Sequence, residues 1–105
     1  MSVSNGMRPV HPGEILDGEL EELGMNASAL ADALAVPDRA ITAILKGENG
    51  ITADIALRLS HYFGTSPEFW LNLQKTFELR VAKIEYGNEI AEQVKPRVTA
   101  GAFGN

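Results

Sequence analysis

The spacing of apolar residues along the chain predicts helices throughout and no convincing strand. Pro12 is well placed in the first turn of a helix reaching Leu23, with Leu16, Leu20 and Leu23 at i, i+4 and i+7 and Gly24 as the stop. Asn26 is a good N-cap for a second helix, Ala27 to Ala35, which turns Leu30 and Leu34 inward. Pro37 lacks an N–H and disfavours helical geometry in the residue before it, so a turn is expected near Ala35 to Pro37. A third helix, Asp38 to Lys46, places Ile41, Ile44 and Leu45 on one side and ends at Gly47. After the loop Glu48 to Ile51, Thr52 caps a fourth helix that buries Ile55, Leu59 and Phe63 before Gly64. Ser66, Pro67 and Glu68 start a fifth and longest helix, which the pattern carries to about Tyr86. Gly87 then interrupts it, with one further turn through Ile90 left open, and Pro96 begins a tail with too little patterned apolar surface to fold alone.

Composition narrows the class. A chain of 105 residues with 45% hydrophobic and 22% charged side chains fits a single globular domain. The expected division is a flexible leader over 1–10, a helical domain over 11–86 and an extension over 87–105, with Met7 an alternative start. Cysteine is absent, which removes disulfides and thiolate metal sites and suits a reducing compartment. Met1 to Gly6 is polar, and no apolar run approaches the roughly 18 residues that span a bilayer, so a cytoplasmic location without membrane contact is expected.

The net charge of −5 is a local feature. Between Arg8 and Arg39 there is no lysine or arginine, while Glu14, Asp17, Glu19, Glu21, Glu22 and Asp32 all fall in that interval. From Val36 onward eight basic residues balance eight acidic ones. The acidity therefore belongs to the N-terminal third.

Helices two and three form the central constellation. Leu30, Leu34, Val36, Ile41 and Ile44 stand at i, i+4, i+6, i+11 and i+14, with small Ala31 and Ala35 where two helices approach and turn. That spacing suits one helix crossing another steeply through a short turn, the helix-turn-helix arrangement. An ordinary helical hairpin in an all-α bundle fits the same periodicity.

Three stretches carry a family resemblance: HPGEIL at 11–16, ITADIALRLSHYFGTSPEFWLNLQ at 51–74, and the paired helices between them. Together they resemble the HigA family of antitoxins, among the Xre and lambda-repressor-like helix-turn-helix proteins. The resemblance covers roughly His11 to Arg80, and TSPEFWLNLQ is its most specific piece. It implies an all-α, five-helix lambda-repressor-like domain with a long fifth helix and a partly flexible C-terminal tail. It also implies a homodimer that binds its own operator DNA and neutralises a RelE-like mRNA-cleaving toxin, with no cofactor.

In that fold class the third helix enters the major groove, and the start of the second meets phosphate. Arg39 is then the best base reader, because its guanidinium fork matches guanine O6 and N7. Thr42 suits a thymine methyl or a phosphate, and Ala43 offers only apolar contact. Lys46, Asn49, Asn26 and Ser28 are candidate phosphate contacts. Asp38 favours the start of its own helix but repels phosphate unless it accepts from a cytosine amino group. Repressor-like domains often carry a long polar residue where this chain has Ala27 and Ala43, which argues against strong or broad sequence reading. An exposed helix with ordinary solvated charge is the alternative.

On helix five, Phe69, Trp70, Leu73, Phe77, Val81 and Ile84 share a stripe at about 100° per residue, whereas Leu71 and Leu79 fall off it. Trp70, Leu71 and Leu79 are the expected dimerisation residues. The alternative makes the leucines scattered surface residues or packs them beneath the tail. A twofold dimer would set two recognition helices about one DNA turn, roughly 34 Å, apart. Glu14, Asp17 and Glu21 lie on successive turns of one flank, so they either meet a basic toxin or form a solvated face turned from phosphate.

Catalysis has little support. His11 and His61 lack ligand spacing, no glycine-rich phosphate loop or nucleophile elbow is present, and Ser66 reads as a cap. A stand-alone Xre-type regulator and a helical interaction module that no longer reads DNA are the other functional readings.

Overall fold

The computed structural model describes residues 8–97. Within them the chain forms five helices and no strand: α1 Pro12–Leu23, α2 Ala27–Leu34, α3 Asp38–Leu45, α4 Ala53–Phe63 and α5 Pro67–Gln93. Residues 1–7 of the expected leader, and 98–105 of the expected tail, lie outside the described residues.

Local chemistry sets most of the helix ends. Asn26, Thr52 and Ser66 accept hydrogen bonds from the amides of Ala29, Ile55 and Phe69, each bond satisfying one of the free N–H groups that open a helix. Left-handed Gly24 and Gly64 close α1 and α4. Two departures come from context. The fifth helix does not break at Gly87 but continues to Gln93, since an isolated glycine costs a helix only about 1 kcal/mol and nothing there offers the backbone another partner. Leu23, spaced to face inward, is 52% exposed, because the chain leaves the core at Gly24.

The core joins all five helices through Leu16, Leu20, Leu30, Ala31, Leu34, Ile41, Ile44, Ile55, Ala56, Leu59 and Trp70, with Ile51 from the loop before α4. Helix α2 packs on α3 and α4, α1 packs on α3 and α5, and α4 packs on α5. Trp70 is 1% exposed, and its indole N–H donates to Thr65 Oγ1 at 2.8 Å. Burying a large ring with its polar atom satisfied anchors the first turns of α5 on α4.

The HPGE segment builds the junction between α1 and the end of α3. His11 is the N-cap of α1: its Nδ1 accepts from the Gly13 amide at 2.9 Å, while Glu14 accepts from the His11 amide at 3.3 Å. That reciprocal pair is a capping box with imidazole in the usual hydroxyl position. Pro12 sits in the first turn, where its missing N–H costs nothing. At Gly13 the α1 backbone reaches the end of α3 so closely that a Cβ would collide with the carbonyl oxygen of Ile44. That carbonyl also accepts from Gly47 N at 3.0 Å, so it cannot easily give way.

Gly13→Ala and Gly18→Ala should therefore have opposite effects. A Cβ at Gly18, exposed on the same helix, meets nothing. Gly18→Ala should stabilise by about 0.5 to 1 kcal/mol, and Gly13→Ala should destabilise by at least about 2 kcal/mol. Urea denaturation of both variants checks this, and equal midpoints would dismiss the close approach.

Candidate nucleic-acid interface

Helix α3 divides cleanly into two sides. Ile41 and Ile44 are buried, with Leu45 packed beside them. Asp38, Arg39 and Lys46 are exposed, and Thr42 and Ala43 are half-buried. By helical spacing Arg39, Thr42, Ala43 and Lys46 fall on one outward face. Neither Arg39 nor Lys46 forms an ion pair among the described residues, so both charges are available to a partner. The Thr42 hydroxyl donates back to the Arg39 carbonyl at 3.3 Å, a long bond that leaves its methyl and lone pairs free.

The loop after α3 folds back onto the end of the helix. The Ala43 carbonyl accepts from Glu48 N at 2.9 Å and from Asn49 N at 3.2 Å, which places Asn49 beside Ala43. Further on, Ile51 N donates to Gln74 Oε1 at 2.7 Å, tying the loop to α5. Thr42, Ala43, Lys46 and Asn49 are thereby brought together at the C-terminal end of α3. Asn26 and Ser28 stand apart at the start of α2. The Asn26 side chain is already engaged as a helix cap, while the amides of Ala27 and Ser28 precede the first capped donor and point out of the helix end.

The turn between α2 and α3 is held by a residue the sequence reading does not single out. Ala35 adopts a left-handed conformation, φ 60° and ψ 47°, at a cost of about 1 to 2 kcal/mol for a residue with a Cβ. Arg58 on α4 offsets it by donating to the carbonyl oxygens of Leu34 at 2.9 Å and Ala35 at 3.4 Å. Asp54, one turn earlier on α4, holds the same guanidinium at 2.9 Å. The Asp54/Arg58 spacing is legible as an i,i+4 pair, but its reach to α2 is a tertiary fact.

Other expected contacts are placed differently from one another. Glu14 is bound by both terminal guanidinium nitrogens of Arg8, at 2.9 and 3.1 Å, as well as by the His11 amide. The Arg8 hydrogen bond, followed by the His11 amide, lowers the Glu14 carboxyl below its ordinary range. Arg8 is thus a clasp across the start of α1. Asp17 and Glu21 are exposed. On α5, Trp70, one of the expected dimerisation residues, is buried in the core with its ring beside Phe63 and Phe69. Leu71 packs against the core, and Leu79 is 56% exposed. Among the described residues no group of three histidines, cysteines or carboxylates could hold a metal ion, and no helix is long and apolar enough to cross a membrane.

Comparison with known proteins places this architecture. A helix-turn-helix family model matches residues 19–70. The antitoxin HigA-1 of Vibrio cholerae is 39% identical over 90 residues, covering 85% of this chain and 84% of the relative. A solved addiction module antidote protein of the HigA family from Coxiella burnetii is 52% identical with a TM-score of 0.85, covering 86% of this chain and 99% of that one. The Pseudomonas aeruginosa antitoxin HigA, solved with the higBA promoter, is 42% identical with a TM-score of 0.84 over 87% of this chain and all, 100%, of its own. With five helices, a left-handed turn between α2 and α3 and these relatives along most of its length, the chain belongs to the HigA family of helix-turn-helix antitoxins.

Proposed function

We propose that this protein is the antitoxin of a type II toxin–antitoxin module, acting in the cytoplasm as a dimer that represses its own operon and neutralises a RelE-like mRNA-cleaving toxin. The observation that carries the DNA half is the outward face of α3, where Arg39 and Lys46 form no ion pair among the described residues while Ile41 and Ile44 anchor the helix. A relative at 42% identity is solved with promoter DNA, which supports the same use of this face. Arg39 reads a base edge, Thr42 and Ala43 make short apolar or hydroxyl contacts, and Asp38 limits which bases are accepted. Lys46, Asn49 and Ser28, with the free amides opening α2 beside Asn26, hold phosphate.

The outward face carries too few cations for strong binding by charge alone, so affinity comes from two copies acting together. The distal half of α5 supports a second copy as the partner. Leu79, Tyr86 and Ile90 are each at least half exposed and recur at i, i+7 and i+11, the seam of a helix pair. With Trp70 in the core, the dimer is assigned to this seam, with Leu79 its first residue. The carboxylates of Asp17 and Glu21, and of Glu14 if Arg8 releases it, face a basic toxin on the side of α1 away from DNA.

Co-purification with the product of the adjacent reading frame tests the toxin half; a clean solitary protein beside an expressed neighbour would favour a stand-alone regulator. In a promoter titration, Arg39→Ala should cost about 1 to 3 kcal/mol and relax selectivity for the promoter over unrelated DNA. Unchanged selectivity would remove Arg39 as a reader. Leu79→Glu should shift sedimentation towards a monomer and weaken operator binding, and a variant that stays dimeric would place the twofold interface elsewhere.

A further inference from the structure

We propose that Gln74 is a positioning residue for DNA reading, fixing from α5 the loop that carries Asn49. The inference rests on the operator-binding reading above and goes beyond it, since Gln74 acts through the loop it holds.

The loop Glu48 to Ile51 is fastened at both ends. Its first two amides donate to the Ala43 carbonyl on α3, and the last, Ile51 N, donates to Gln74 Oε1 at 2.7 Å. Between these anchors Gly50 has no side chain because the Gln74 amide occupies that space: a Cβ there would lie 2.6 to 2.7 Å from its nitrogen, carbon and oxygen. The amide cannot turn freely either. Its Nε2 donates to Glu78 Oε2 at 2.9 Å, one turn along α5, which leaves Oε1 directed at the loop. The Asn49 amide bonded to the Ala43 carbonyl joins the loop to the proposed reading face, and on the inner side Asn49 and Gly50 wall a shallow groove with Ala40 and Ile44 of α3.

The same stretch of α5 grips the other side of the α3 terminus. Phe77, three residues beyond Gln74, meets the His11 ring edge to face at 4.8 Å, and that ring lies beside Gly47. Phe77 supplies apolar contact on one side, and Gln74 the directed hydrogen bond on the other. A hydrogen bond to phosphate weakens steeply with distance and angle, so a loop released from Gln74 loses the Asn49 contact without any change in Asn49.

A double-mutant cycle on promoter binding tests this in the full-length protein. Gln74→Met, close in volume but without either hydrogen bond, should bind promoter DNA about tenfold more weakly while keeping its helical circular dichroism. Asn49→Ala should weaken the wild type severalfold and have no further effect in Gln74→Met. The exchange Gln74→Glu with Glu78→Gln keeps an acceptor for Ile51 N, reverses the donor across the pair and preserves net charge; it should restore binding to within about twofold of wild type. Should Gln74→Met fail to fold, Gly50→Ala displaces the amide from the opposite side and enters the same cycle. Equal binding by the folded variant and wild type, or an Asn49→Ala loss undiminished in the variant background, would overturn the proposal. If wild-type protein itself bound no promoter DNA at low salt, the operator reading would fall and this inference with it.

Discussion

The approach of the α1 backbone to the Ile44 carbonyl constrains everything around it. Only glycine allows it at position 13, and the contact holds only if α1 begins at a fixed place and angle. Pro12 presets the first turn, the His11 ring accepts from Gly13 N, and Glu14 closes the box from behind. Arg8 then binds Glu14 with both terminal nitrogens of its guanidinium. The exposed ion pair adds little free energy on its own. Its value lies in geometry, because the groups it orders set the distance between α1 and the end of α3.

This arrangement also resolves the charge problem. The protein is acidic, yet its acidic run lies on α1, and the first of those carboxylates is paired with Arg8. The outer face of α3 with its following loop carries Asp38 and Glu48 against Arg39 and Lys46, close to neutral. On the proposed reading such a face selects by hydrogen-bond pattern and shape, with affinity drawn from two half-sites, since neutral contacts release few counterions. The rigidity of the face matters more under those conditions than its charge. Arg58 at the turn into α3 and Gln74 at the loop out of it supply that rigidity from α4 and α5.

Much of this was legible because much of it is local. The caps Asn26, Thr52 and Ser66 and the stops Gly24 and Gly64 act within a few residues, so their side chains announce themselves in order along the chain. The buried faces of α2 and α3 follow from spacing for the same reason. Periodicity could not say which apolar side of α5 the core would take. Trp70 reads equally well as core or interface until α4 is seen to cover it, and Leu23 reads as buried until the chain turns away. Arg58 and Gln74 were invisible as organisers, because their partners stand 24 and 23 residues away in sequence. The sequence shows His11 only as a histidine without ligand spacing, because an imidazole cap cannot be told from a surface histidine without Gly13 and Phe77 in place.

The length of α5 connects these parts. Its 27 residues give a rod of about 40 Å, of which only the first turns are anchored by Trp70 and Leu73. Beyond Phe77 the helix leaves the core and exposes Leu79, Ile84, Tyr86 and Ile90, with Val94 exposed just past its end. A segment with that much apolar surface gains most of its stability from whatever covers it, since propensity alone keeps an isolated helix only marginal. If a second copy covers it, as proposed, ordering the far half of α5 also steadies the near half, where Gln74 and Phe77 grip the end of α3. Dimerisation would then do more than bring two reading heads to one duplex. It would lower the conformational freedom each head loses on binding, and that coupling runs both ways, so DNA engaged at α3 would in turn favour the paired state of α5.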